Sequence, residues 1–262
     1  MMDNLFVSHF IIKESDCFVK AESNSAIKTA IASIRRHRRV LERFIEKYPT
    51  FMTTYKPIKF PPDVSLPEII QIMQFGSELS NVGPMASVAG ALADLATRDM
   101  VKDGSKVAIL ENGGEISIYS NKKVNIGILA GNTPLSGKIG FQIKPGECPL
   151  GVGTSSATMG HVKNYTGQAD AAVIVAEDAN LADAFATRIT NEVKGNDMEK
   201  SVQRALEVAE TLEKLRSALI VRGKFVGTVG KLPQLIRIVG ENKWDMIKSK
   251  YDILPDSITT DL

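Results

Sequence analysis

The sequence predicts an α+β fold, mainly antiparallel sheet with helices packed on it. Three observations lead there. Short apolar runs between residues 106 and 143 are separated by NGG, SNKK and NTPLSG, all of them turn chemistry. Ser25–Lys47 repeats apolar residues at helical spacing, through Ile27, Ile31, Ile34, Leu41 and Phe44. Ala171–Ala176 is an apolar strand that feeds directly into a second helical pattern.

Taken in order, Leu5–Ile12 and Cys17–Ala21 flank the turn signal KESD and read as a hairpin. Ser25 is the candidate N-cap of the long helix, and Pro49 follows its end. That helix carries Arg35, Arg36, His37, Arg38 and Arg39, which read as a phosphate or nucleic-acid contact, or else as a solvated face or as partners for acidic groups elsewhere. Lys56–Pro67 contains Pro57, Pro61, Pro62 and Pro67 and is an irregular connection. Pro67 then opens a helix through Gln74, its missing N–H costing little in the first turn.

Asn81–Met100 is a helix of small residues behind Pro84. Little side-chain bulk lets a sheet, another helix or a ligand approach its backbone. Strands follow at Lys106–Leu110, Glu115–Tyr119, Val124–Ala130 and Lys138–Ile143. Asn112-Gly113-Gly114 is a hairpin turn, or a backbone that admits a ligand. Met198–Arg216 is amphipathic, and Ala218–Arg222 with Phe225–Val229 form a hairpin across Gly223-Lys224. The tail from Asn242 reads as a surface helix and a frayed end, so a single domain over residues 1–262 has a peripheral extension from residue 240.

Residues 151–187 carry the most chemistry. Gly153, Thr154, Ser155 and Ser156 open a Gly/Ser/Thr-rich loop whose N–H groups and hydroxyls suit an anion. His161 stands alone; it reads as a general base near neutral pH or as a structural residue. On the helix behind Asp178, an apolar stripe runs Leu181, Phe185, Ile189, Val193. Asp183 and Thr187 are i,i+4 neighbours pointing away from that stripe. A carboxylate beside a hydroxyl is a hard oxygen pair suited to Mg²⁺. The ordinary alternative is a pair of solvated residues on the outer face.

Composition sets outer bounds. With 262 residues, 44% hydrophobic and 24% charged, the chain can bury a core without disulfides. A net charge of +2 argues against a nucleic-acid or membrane-surface partner. Cys17 and Cys148 have no metal-ligand spacing and fit a reducing compartment. No signal peptide is evident at the N-terminus and no run is long enough for a membrane helix, so the expected location is the cytoplasm.

NVGPMA, ENGGEI, GTSSATMGH and ADAFAT occur in this order. Together they resemble an uncharacterised prokaryotic family related to ApbE, the Mg²⁺-dependent FAD:protein FMN transferases. The resemblance implies a single ApbE-like domain, FAD held in a deep pocket, Mg²⁺ on its diphosphate, and transfer of FMN to a Thr hydroxyl of an acceptor protein with release of AMP. It implies Asp183, Thr187 and the carbonyl of Ala86 as metal ligands. It places Asn112, Gly113 and Gly114 beside the flavin, gives the Gly153–Ser156 loop the phosphate, and makes His161 the catalytic base. The stretch HVKNYTG departs from the family pattern H-x-I-D-P-x-T-G: it is one residue shorter and lacks both the acid and the proline. A non-catalytic protein holding a flavin or another anionic metabolite is therefore the alternative. A third reading docks the basic helix on an acidic protein, and an exposed apolar helix face would make a homodimer.

Overall fold

A computed structural model describes residues 5–130, 133–156 and 167–239, together with the backbone of 253–254 and 259–261. The chain is α+β in three layers: helices, an eight-stranded sheet, and a five-stranded sheet. Every strand pair in both sheets is antiparallel.

The N-terminal hairpin is β1 (Phe6–Ile12) and β2 (Ser15–Ala21). The long helix α1 (Asn24–Lys47) follows. Its N-cap is Ser23 rather than Ser25, with the Ser23 hydroxyl accepting the Ala26 N–H at 3.1 Å. The basic run divides. Arg36 meets Asp99 at 2.5 Å, Arg38 pairs with Glu14, and His37 is buried. These internal partners favour the reading of the run as partners for acidic groups elsewhere over a docking surface.

A short helix α2 (Thr50–Thr53) was not visible in the sequence. Helix α3 (Glu68–Ser80) extends beyond Gln74 through Gly76. A Cβ at Gly76 would lie 2.9 Å from the Asn180 side chain, so that glycine makes room rather than ending the helix. A 3-10 turn, Pro84–Ser87, leads into α4 (Val88–Lys102).

The expected meander from residue 106 to 143 splits between two sheets. β3 (Val107–Asn112) and β4 (Glu115–Ser120) join the large sheet, while β5 (Val124–Gly127) and β6 (Ile139–Ile143) join the small one. β7 (Leu150–Ser155) and β8 (Ala171–Ala176) complete the middle of the large sheet. Helix α5 (Ala179–Thr190) ends before Val193, and α6 (Met198–Glu210) stops short of Arg216 because Leu215 already belongs to a strand. β9 (Leu215–Arg222) and β10 (Phe225–Gly230) make the expected hairpin. β11 (Gln234–Ile238) returns to the small sheet. The expected helix at Asn242 lies outside the described residues. The expected frayed end instead holds β12 (Ile253–Leu254) and β13 (Thr259–Asp261), which pair with β5 and β11 at the two edges of the small sheet.

The large sheet runs β1-β2-β3-β4-β7-β8-β9-β10. On one face Ala108, Leu110 and Ala172 meet helices; on the other Ile109, Ile118 and Val173 meet the small sheet. Burial on both faces explains why β8 reads AAVIVA without alternation. Among the described residues no helix is long and apolar enough to cross a membrane.

Candidate functional site

The site is built on two helix beginnings that cap each other. Helix α4 has no side-chain cap of its own at Ser87. The Asp183 carboxylate, from the middle of α5, accepts the Gly90 N–H at 3.0 Å and also the Ala89 N–H. In return Asp94, from the middle of α4, accepts the Ala179 and Asn180 N–H groups at 3.0 and 2.8 Å. Each carboxylate thus meets the positive end of the other helix. Gly90 permits the approach: a Cβ there would lie 2.1 Å from the Ala179 carbonyl oxygen. The small residues of Asn81–Met100 therefore receive a helix, one of the three approaches open from the sequence.

Asp183 and Thr187 are not on a solvated face. Both are 8% exposed, since α5 packs against α3, α4, β7 and β8 and has no outer side. Burial pushes the Asp183 carboxyl up to about 7 against the pull of its two N–H donors. The Thr187 Oγ1 is buried with no hydrogen-bond partner among the described residues. Ala86 lies in the 3-10 turn, which α5 also packs against. In a continuous helix the Gly90 N–H would point to the Ala86 carbonyl; here it is given to Asp183.

Gly153, Thr154 and Ser155 lie on strand β7, not in a loop as expected. The reason is packing. A Cβ at Gly151 would lie 2.1 Å from the Ala179 nitrogen, and one at Gly153 would lie 2.6 Å from the Ala182 carbonyl carbon. The glycines are flat ground for α5 and were misread as loop chemistry. Ser155 is two residues further along the same face, so the register carries it towards the next turn of α5, and its buried hydroxyl also lacks a partner among the described residues. Ser156 follows the strand and is buried.

Asn112, Gly113 and Gly114 make the β3–β4 hairpin turn, with φ of 68° at Gly113 and 116° at Gly114. The Asn112 amide donates to the Ala89 carbonyl at 3.0 Å and accepts the Cys17 thiol at 3.5 Å. It ties the turn to the first turn of α4. The Asn112 turn, the Gly153 strand and Asp183 thus come together around one helix end. His161 lies outside the described residues. Sequence reasoning missed Asp94, although its place four residues after Gly90 mirrors that of Asp183 four after Ala179.

A hydroxyl without a partner, a carboxylate and a carbonyl are hard oxygen donors, the kind that suits Mg²⁺ and not a soft metal. Among the described residues no group of three His, Cys, Asp or Glu side chains could hold a metal ion, so the main-chain and hydroxyl donors are essential to that fit.

The family model described as AbpE bacteria matches residues 2–225. The chain belongs to that family. A UPF0280 protein of Methanococcus vannielii is 39% identical over 235 residues, covering 89% of this chain and 94% of its own. One from Methanocaldococcus jannaschii is 39% identical over 234 residues, covering 88% and 93%. Among solved structures, the Pseudomonas stutzeri flavinyl transferase ApbE in its apo form superposes with a TM-score of 0.54 at 12% identity, over 87% of this chain and 94% of that one. The ApbE protein of Thermotoga maritima gives 0.54 at 14% identity, over 84% and 97%. These likenesses establish an ApbE-type fold for this member of the AbpE family.

Proposed function

We propose that the chain binds a flavin dinucleotide with Mg²⁺ at the α4–α5 junction and transfers FMN from FAD to a hydroxyl of an acceptor protein. The observation that carries this reading is the buried Thr187 Oγ1, unpartnered among the described residues and one helical turn from the buried Asp183. A buried hydroxyl without a partner costs stability, and a ligand is a reason to keep it. Asp183, Thr187 and the Ala86 carbonyl would hold the metal, which when bound neutralises diphosphate charge. The acceptor oxygen forms the new bond to phosphorus, the diphosphate bond breaks, and AMP leaves. The hydroxyl proton goes to a base, the role that the resemblance gives His161. Gly113 and Gly114 offer a turn without side chains to lie beside the ring, and Thr154, Ser155 and Ser156 offer hydroxyls near the phosphates.

Calorimetric titration of FAD in Mg²⁺ and then in chelator tests the binding. Micromolar affinity that depends on Mg²⁺ and is lost in Asp183→Ala supports the reading; equal affinities in both conditions remove the metal. A second reading, binding without turnover, is favoured by HVKNYTG, which lacks the acid and proline of the family stretch. AMP released in the presence of a Thr-bearing acceptor decides for transfer, and Mg²⁺-dependent binding without AMP decides for the second reading.

A further inference from the structure

A cavity of about 780 Å³ opens at the other half of α4. It lies between α3, α4, the far ends of β4 and β7, and the start of α5. Its size is in the range of small-molecule sites, roughly 300–1,000 Å³. Two features separate it from a surface crevice. Asn180 lines it at 1% exposure, and neither its side-chain oxygen nor its nitrogen has a partner among the described residues. Thr97 lines it at 4% exposure with its hydroxyl equally unpartnered. Asn180 is held there by its own backbone N–H on Asp94 and by Gly76, whose missing Cβ leaves the space the amide fills.

An Asn amide sets a donor beside an acceptor, so its complement is an edge with an acceptor beside a donor. A hydroxyl such as that of Thr97 adds one further bond of either sense. The side chains of Phe75 and Tyr119 are half-exposed on the cavity wall and offer apolar flat surface. Arg98 is paired with Glu68, and Arg216 donates to the carbonyls of Glu147 and Pro149, so neither guanidinium is left for an anionic ligand.

We propose that this cavity is a second ligand site, taking a neutral flat ring with an amide-like edge, of the nucleobase or aromatic carboxamide class, read by Asn180 and Thr97. It does not depend on the metal site and stands or falls separately.

The test titrates uridine, adenosine and benzamide into the full chain, followed by ligand-observed NMR and calorimetry. At least one probe binds saturably to the wild type. Asn180→Leu, close in shape and without polar atoms, weakens that binding tenfold or more while the Tm stays level or rises, because a buried unpaired amide has been removed. Removing Mg²⁺ with a chelator leaves it unchanged. No saturable binding of any probe overturns the proposal, as does wild-type affinity in Asn180→Leu, or a fall in its Tm with affinity retained. If Asn180→Leu does not fold, Thr97→Val decides: a loss of several-fold supports the site, and unchanged affinity overturns it.

Discussion

Asp94 and Asp183 each close the first turn of the helix that carries the other, Asp94 on the Ala179 and Asn180 N–H groups and Asp183 on that of Gly90. The two charges also repel, and that of Asp94 raises the cost of ionising the buried Asp183. Either single change to Ala removes a cap and leaves buried N–H groups unsatisfied, at about 2 kcal/mol. It also relieves the repulsion, which the double variant can relieve only once. Urea unfolding at pH 8 therefore gives a double variant less stable than the sum of the two singles predicts. A strictly additive result would show that the carboxylates do not feel each other.

Thr187→Val keeps the shape of the side chain and deletes a buried hydroxyl that has no partner among the described residues. Stability is unchanged or rises by up to about 1 kcal/mol. FAD affinity in Mg²⁺ falls about tenfold, equivalent to about 1.4 kcal/mol. Thermal unfolding and calorimetry on one preparation check both halves.

Gly90→Ala places a methyl group 2.1 Å from the Ala179 carbonyl oxygen. The atom it meets is backbone, so the helices must part. The expected loss is about 1–3 kcal/mol, although Ala is the better helix former. Ligand binding at the α4–α5 junction falls with it, because both caps depend on the same approach. A variant as stable as the wild type would mean that the crossing is looser than described.

Burial, reinforced by the charge of Asp178, pushes the Asp94 carboxyl up to about 7. An unfolded Asp ionises near about 4. Between those values the folded protein holds the proton and the unfolded chain does not, so Asp94's contribution to stability falls as pH rises and levels off above about 7. In Asp94→Asn the slope of Tm against pH from 5 to 8 is more positive than in the wild type. Identical slopes would remove the assignment.

The hairpins and the order of the elements were legible because local signals and final structure agree there. The pairs Gly113-Gly114 and Gly223-Lys224 turn where the sequence says they should. The division of the strands between two sheets was not legible, since β4 finds β7 and β5 finds β6 through packing and not through any local preference. The Gly153 segment was misread for a related reason. Glycines that admit a ligand and glycines that admit a helix have the same sequence, and only the facing residue, here Ala182, distinguishes them. For Asp183 the i,i+4 spacing to Thr187 was visible, but helical periodicity gave it to solvent. A helix covered on every side has no outer face for such reasoning to find.

The two edge strands of the small sheet, β12 and β13, come from residues 253–261, whereas the inner strands β5 and β6 are complete by residue 143 and the inner β11 by residue 238. During synthesis β5 therefore leaves the ribosome long before β12 can cover its outer edge, and β11 waits in the same way for β13. Contacts so far apart in sequence form late and slowly. Over that interval the nascent chain offers two open strand edges to its neighbours, and a chain released before residue 253 keeps them. Slower elongation between residues 238 and 253 lengthens the exposure, and holding chaperones have the most to protect at that stage.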